Sequence, residues 1–125
     1  MAFSGQIISI PGFLAGADLS SYQYRPVKLA STAGEVVAAT AVTDVVLGIL
    51  QNDPEDGQAA HVAGPGSITI AVAGTSVLAA GAFLTCNSTG LAPTTADNTA
   101  VCAKAISAAA AAGDWITVQV MAGRY

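Results

Sequence analysis

From residue 25 onward, short apolar runs alternate with turn residues at intervals that suit strands. Val27-Lys28-Leu29 leads into Ser31-Thr32-Ala33-Gly34, and Glu35-Val36-Val37-Ala38-Ala39 returns. That is a hairpin pattern, with Gly34 placed to take a positive φ. Val45 to Leu50 is a compact apolar run rich in β-branched residues, followed by the polar turn Gln51 to Gly57. It predicts a buried strand and a loop. Ala59 to Ala63 is a further short strand, and Gly64-Pro65-Gly66 is a break. Ser67 to Val72 alternates, with Ile68, Ile70 and Val72 on one face and Ser67, Thr69 and Ala71 on the other. Strands are predicted again at Phe83 to Cys86 and at Val101 to Ile106. Trp115 to Val120 alternates so that Ile116, Val118 and Val120 share a face. Asn87-Ser88-Thr89-Gly90 is read as a turn.

The second half echoes the first. A shift of 56 residues lays Gly34 on Gly90, Thr43 on Thr99, Val45 on Val101, Gly57 on Gly113 and Val62 on Val118. The order of turns and strands matches as well. The expected fold is all-β, a single compact barrel or sandwich-like domain of two related β units. The echo also decides Ala108 to Ala112, which has helical propensity. Its counterpart is the turn at Asn52 to Asp56, so it is read as a loop.

Residues 1–20 lack this periodicity and are read as an N-terminal arm to a domain of residues 21–125. Gln6 to Ile10 could pair as an edge strand, which Pro11-Gly12 would break. The arm is nonetheless apolar, with Phe3, Ile7, Ile8, Ile10, Phe13 and Leu14, and Tyr22 and Tyr24 follow it closely. So much apolar content outside the periodic region suggests a docking surface. On that reading, removal of residues 2–14 leaves the domain folded; on the alternative, an edge strand, it does not.

Composition narrows the function. Of 125 residues, 53% are hydrophobic, yet only 10% are charged, against roughly 25% in an average soluble domain. A surface so poor in charge fits contact with other protein, although 27 Ala and 13 Gly also inflate the apolar count. No apolar run approaches the ~18–20 residues of a spanning helix. The N-terminus has neither the basic nor the apolar region of a signal peptide. The formal net charge is −4, and Arg25, Lys28, Lys104 and Arg124 are scattered. A phosphate backbone or an anionic membrane surface would ask for clustered cations.

Candidate chemistry is sparse. His61 is the sole histidine, with no acid or Cys at ligand spacing, and no GxSxG elbow exists for a triad. Asp53-Pro54-Glu55-Asp56-Gly57 is too short for a calcium loop and reads as a solvated turn. Gly64-Pro65-Gly66 has no Lys and no helix after it, so it is no phosphate loop. Cys86 and Cys102 lack CxxC spacing and are expected as small buried hydrophobes, with a disulfide as the second option. No catalytic, cofactor or metal site is predicted, and the chain is expected not to be an enzyme.

Arg25-Pro26-Val27-Lys28-Leu29, Val46-Leu47-Gly48-Ile49-Leu50-Gln51-Asn52-Asp53-Pro54, Gly57-Gln58-Ala59-Ala60-His61-Val62 and Ala112-Gly113-Asp114-Trp115-Ile116-Thr117-Val118 together carry a resemblance. Over residues 17–121 the chain resembles the small decoration, or cement, proteins of tailed-phage capsids. The resemblance implies a homotrimer on the outside of a phage head. It would sit at threefold positions, bind the major capsid protein, and strengthen the shell against internal pressure. Such a protein would be made in the host cytoplasm and act in the virion. Within this picture the capsid contact is expected at Phe3, Ile7, Ile8, Ile10, Phe13, Leu14, Tyr22 and Tyr24. The competing reading is a particle-displayed β module that recognises carbohydrate or a host surface, which an exposed aromatic platform would favour.

Overall fold

The computed structural model describes residues 5–74, 80–87, 90–94, 100–109 and 111–124. They form ten strands and, among the described residues, no helix. The strands are β1 (Ser9–Ala15), β2 (Pro26–Leu29), β3 (Glu35–Ala38), β4 (Val46–Leu50), β5 (Ala59–Ala63), β6 (Ile68–Val72), β7 (Phe83–Cys86), β8 (Leu91–Pro93), β9 (Ala100–Ala105) and β10 (Trp115–Arg124). The first five close into a barrel in the order β1-β3-β2-β4-β5; the second five form a sheet in the order β6-β10-β9-β7-β8.

These orders are the same order. Shifted by 56 residues, β2, β3, β4 and β5 fall on or beside β7, β8, β9 and β10, and β1 falls three residues before the start of β6. Local hydrogen bonding repeats too. Gly57 N–H donates to the Ala15 carbonyl at 2.9 Å, and Ala15 N–H to Gln58 at 2.8 Å. Gly113 N–H donates to Ala73 at 2.8 Å, and Ala73 N–H to Asp114 at 2.8 Å. Both turn glycines have positive φ, 82° and 91°, where a side chain would strain the backbone. The chain is thus two copies of one five-stranded unit. They differ in closure. In the first, β1 runs parallel to β3, pairing Leu14 with Glu35 and Ala15 with Val36. In the second, a parallel bridge between Ala73 and Leu91 is, among the described residues, what takes that place.

The predicted hairpin is β2–β3, with Val27 opposite Ala38 and Gly34 at φ 81°. The loop reading of Ala108 to Ala112 holds for its described residues. One local expectation is corrected. Pro11-Gly12 does not end a strand. β1 runs through it, with the register to β5 shifting between Ile10 and Phe13 and Gly12 at φ 88°. A bulge tolerates a residue without an N–H and a glycine in the left-handed region, so the break becomes a bend. Leu91–Pro93 is a strand that the pattern does not predict, pairing with β7. On and beside β6 the face of Ser67, Thr69 and Ala71 is the buried one, while Ile68 and Ile70 are half-exposed. The cause lies across the ladder, where Ala71 faces Ile116 and Thr69 faces Val118. β10 fills the core with branched side chains, and β6 must supply small ones. The two hydroxyls find partners: Thr69 donates to Gln51 Oε1 at 2.9 Å, and Ser67 Oγ accepts the Ile8 N–H at 2.7 Å.

Each unit has its own core. Leu19, Val27, Val36, Leu50 and Val62 fill the barrel, and Leu84, Leu91, Ile116, Val118 and Val120 fill the second unit. β4 serves both, since Leu50 points into the barrel and Ile49 into the second core. The seam is stitched by residue 24. Tyr24 N–H donates to the Leu50 carbonyl at 2.8 Å, and its own carbonyl accepts Val72 N–H at 2.9 Å. The first unit is therefore continued into the second through backbone hydrogen bonds.

Candidate functional site

The residues expected to contact a capsid do not form one arm. Residues 9–15 of that segment are the strand β1, and Leu19 is buried in the barrel with its N–H on the Pro54 carbonyl. Residues 5–8 run along the second unit, where Gly5 N–H meets the Ile68 carbonyl and Ile68 N–H meets Gln6. Phe3 lies outside the described residues. Ile7 and Ile8 are exposed, and the backbone of Ile10 pairs with Val62. Phe13 and Leu14 are brought together in a groove of about 410 Å³ with Ser9, Gly12, Ala59 and His61. There Phe13 packs inward on the barrel core and Leu14 is 44% exposed.

The two tyrosines part company. Tyr22 belongs to the barrel, donating its hydroxyl to the Ala39 carbonyl at 3.0 Å. Burial, and then the nearby Cys86 thiol, push its phenol up to about 12. Tyr24 stands at the seam with φ 64°, the one described non-glycine residue of positive φ. Its ring meets Trp115 edge-on, centroids 5.2 Å apart and planes at 70°. Trp115 is 59% exposed.

Sequence pattern alone misses a second apolar lip. Leu29 and Val45 are 57% and 75% exposed and, with Lys28, Val46 and Leu47, line a groove of about 290 Å³. Val42 lies nearby in sequence and is also exposed. Alternation gave no warning, because Leu29 is the last residue of β2 and Val45 precedes β4. Beside them Lys28 donates to Asp44 at 2.9 Å, and Asp44 also accepts the N–H groups of Thr40 and Ala41. The bond from Lys28, more than any other cause, holds the Asp44 carboxyl below its ordinary value.

The remaining chemistry is dispersed. Among the described residues, no three His, Cys, Asp or Glu gather where a cation could be held. Asp53, Glu55 and Asp56 are exposed in their turn, and His61 is exposed on the groove. Cys86 and Cys102 are free and buried, so the small-hydrophobe reading holds. Burial pushes both thiols up, Cys86 to about 11 and Cys102 to about 12. Protonated and enclosed thiols make poor nucleophiles. Charge is unevenly shared. Along the sequence, Asp18, Glu35, Asp44, Asp53, Glu55 and Asp56 fall in the first half with only Arg25 and Lys28, whereas Asp97 and Asp114 fall in the second with Lys104 and Arg124.

The fold defines an all-β protein of two repeated units whose surface includes exposed apolar ledges. No protein-family profile and no curated protein matches the chain. Among solved structures it is similar to the N base of the head fiber protein gp8.5 of bacteriophage phi29. The TM-score is 0.71 at 19% identity, covering 96% of this chain and 98% of that one. At that identity the likeness establishes a shared fold over the whole chain.

Proposed function

We propose that this protein is a structural component of a phage head, bound to the outside of the capsid as a homotrimer. The observation that carries the reading is the end-to-end fold likeness to a head fiber base. The sequence resemblance to capsid decoration proteins points to the same particle independently. The major capsid protein is the partner, and the exposed aliphatic residues Leu14, Leu29, Val42 and Val45 of the first unit are the surfaces offered to it. Each ledge is small. Three copies on one axis multiply weak contacts through effective concentration. A ligand that binds only the assembled lattice stabilises that lattice by mass action, so decoration strengthens the shell.

The test is direct. Purified protein is sized by native mass spectrometry, then added to bare capsids that are heated or stripped of cations. The expected results are a trimer and a raised temperature of DNA release. A monomer at micromolar concentration that fails to sediment with capsids overturns the proposal.

A further inference from the structure

We propose that the outward face of the sheet β6-β10-β9-β7 is the surface through which copies of this chain join one another. The inference rests on the homotrimer proposed above and names the face that holds it. Ladder partners project to the same side of a sheet, and successive outward residues are two apart. Ile70 is opposite Thr117, which follows Trp115 by two. Ile68 is opposite Gln119, Gln119 opposite Lys104, and Lys104 opposite Phe83. Ile106, two beyond Lys104, donates its N–H to the Thr117 carbonyl. These side chains make one face across four strands. On it Trp115 is 59% exposed, Ile106 41% and Phe83 39%; Ile68 and Ile70 are half-exposed, and Thr117 in their midst is buried. The chain at β6 therefore turns isoleucines outward while Ser67 and Thr69 are buried. A strand whose outer side meets only water carries the opposite order.

Area and charge select the occupant. The five apolar side chains leave open on the order of 400 Å², the size of a patch that is often functional on a monomer. That is about half of one side of a standard interface of ~800 Å². The Tyr24 ring against Trp115 and the exposed Gln119 extend it. Assembly about a threefold axis brings the surfaces that face the axis close to their own copies, so a surface of one sign opposes itself. Residues 1–66 hold six carboxylates against two cations, whereas residues 67–125 hold two of each. Lys104 is the one charged side chain that the described residues place on the face, and it lies over the Phe83 ring at 5.9 Å. Aromatic and aliphatic side chains with little charge compose the centre of a homo-oligomer contact. The aliphatic ledges offered to the capsid lie on the first unit, so the two contacts do not compete.

Because Trp115 is the only indole, the unmodified protein reports on the contact. Mass is followed by sedimentation velocity from about 10 nM to 100 μM, with Trp115 emission and acrylamide quenching measured on the same samples. In the trimer, emission should lie at short wavelength and resist the quencher. In subunits separated by dilution or by substitution it should move to long wavelength and be quenched. Ile70→Glu and Ile106→Glu place a charge on either side of Thr117 at positions open to water in the single chain. Each should stay folded by circular dichroism and raise the concentration of half-dissociation by about 30-fold or more. The parent's own emission decides the matter even where a variant fails to fold. The proposal is overturned if the trimer carries an indole quenched as readily as that of the urea-unfolded chain. It also falls if both variants keep the parent's trimer, whether or not they lose capsids; the homotrimer then stands and another face holds it. A parent that is monomeric throughout overturns the proposal and the trimer together, and its sedimentation with capsids then decides the rest of the functional reading.

Discussion

Removing residues 2–14 separates a docking arm from a structural strand. An arm would come away without harm to the domain, and residues this apolar near a terminus invite that reading. The geometry predicts the opposite. The deletion takes the β1 partners of Ala63, Val62, Ala60 and Ala59 on β5 and of Glu35 on β3. It also takes four flanking hydrogen bonds: Gly5 to Ile68, Ile68 to Gln6, Gly64 to Ile8, and Ile8 to Ser67. At a net ~1 kcal/mol for each pair or bond, the loss is roughly 9 kcal/mol, comparable with the whole stability of a small domain, ~5–15 kcal/mol. Phe13 leaves the barrel core at the same time. The barrel opens, and the truncated protein should show no cooperative melt by circular dichroism. A control deletion of residues 2–6 costs, among the described residues, the two backbone bonds to Ile68, roughly 2 kcal/mol, or a drop of roughly 10 °C in melting temperature. A 2–14 deletion that melts cooperatively within about 10 °C of the parent would refute the reasoning.

Gly48→Ala should be strongly destabilising, because an added Cβ would run into the Ala63 carbonyl and lie 2.8 Å from Val62 Cγ1. Glycine-to-alanine changes at permissive sites add about 0.4–1 kcal/mol, so a loss of about 3 kcal/mol or more in urea melts supports the close β4–β5 approach, and a gain contradicts it. Stability should also fall in alkali. The folded-state values of Cys86, Cys102 and Tyr22 stand at about 11, 12 and 12, above those of the unfolded chain. The folded form thus keeps protons that the unfolded form gives up. Stability is full below about pH 9 and is lost as pH rises toward about 12, by up to ~1.4 kcal/mol per group and pH unit. Calorimetry from pH 8 to 12 should show this decline, and Cys86→Ala with Cys102→Ala should flatten its onset. At the acid end, the lowered carboxyl of Asp44 gives stability that is present above the unfolded value near 4 and lost below it.

Much of the scaffold is legible from residue type. Gly34 and Gly57 announce their turns because few other residues accept their φ. Ile116, Val118 and Val120 announce the core face of β10 because it faces no competing bulk. The recurrence of Gly57 at Gly113 exposes the duplication. What escapes the sequence depends on partners distant in the chain. Ile68 and Ile70 look like core residues until Ile116 and Val118 are seen to fill that space from across the ladder. Pro11-Gly12 looks like a stop until β5 is present to pair on either side of it. The seam of Tyr24 with Trp115 has no local signature, since neither residue marks the other. The expected contact residues are likewise scattered over barrel, groove and seam because burial sorts them by neighbour and not by position in the chain.

The shift that aligns the two units sets Ala59 opposite Trp115. At equivalent places in the two units, then, one holds a methyl group and the other the largest side chain available. Repetition of one unit relieves each copy of the obligation to satisfy every constraint at once. The closed copy, with its parallel β1–β3 seal, suffices as an anchor against unfolding. The other, with the described bridge from Ala73 to Leu91 in that place, leaves Trp115 59% exposed. Divergence of this kind needs no new fold and no insertion.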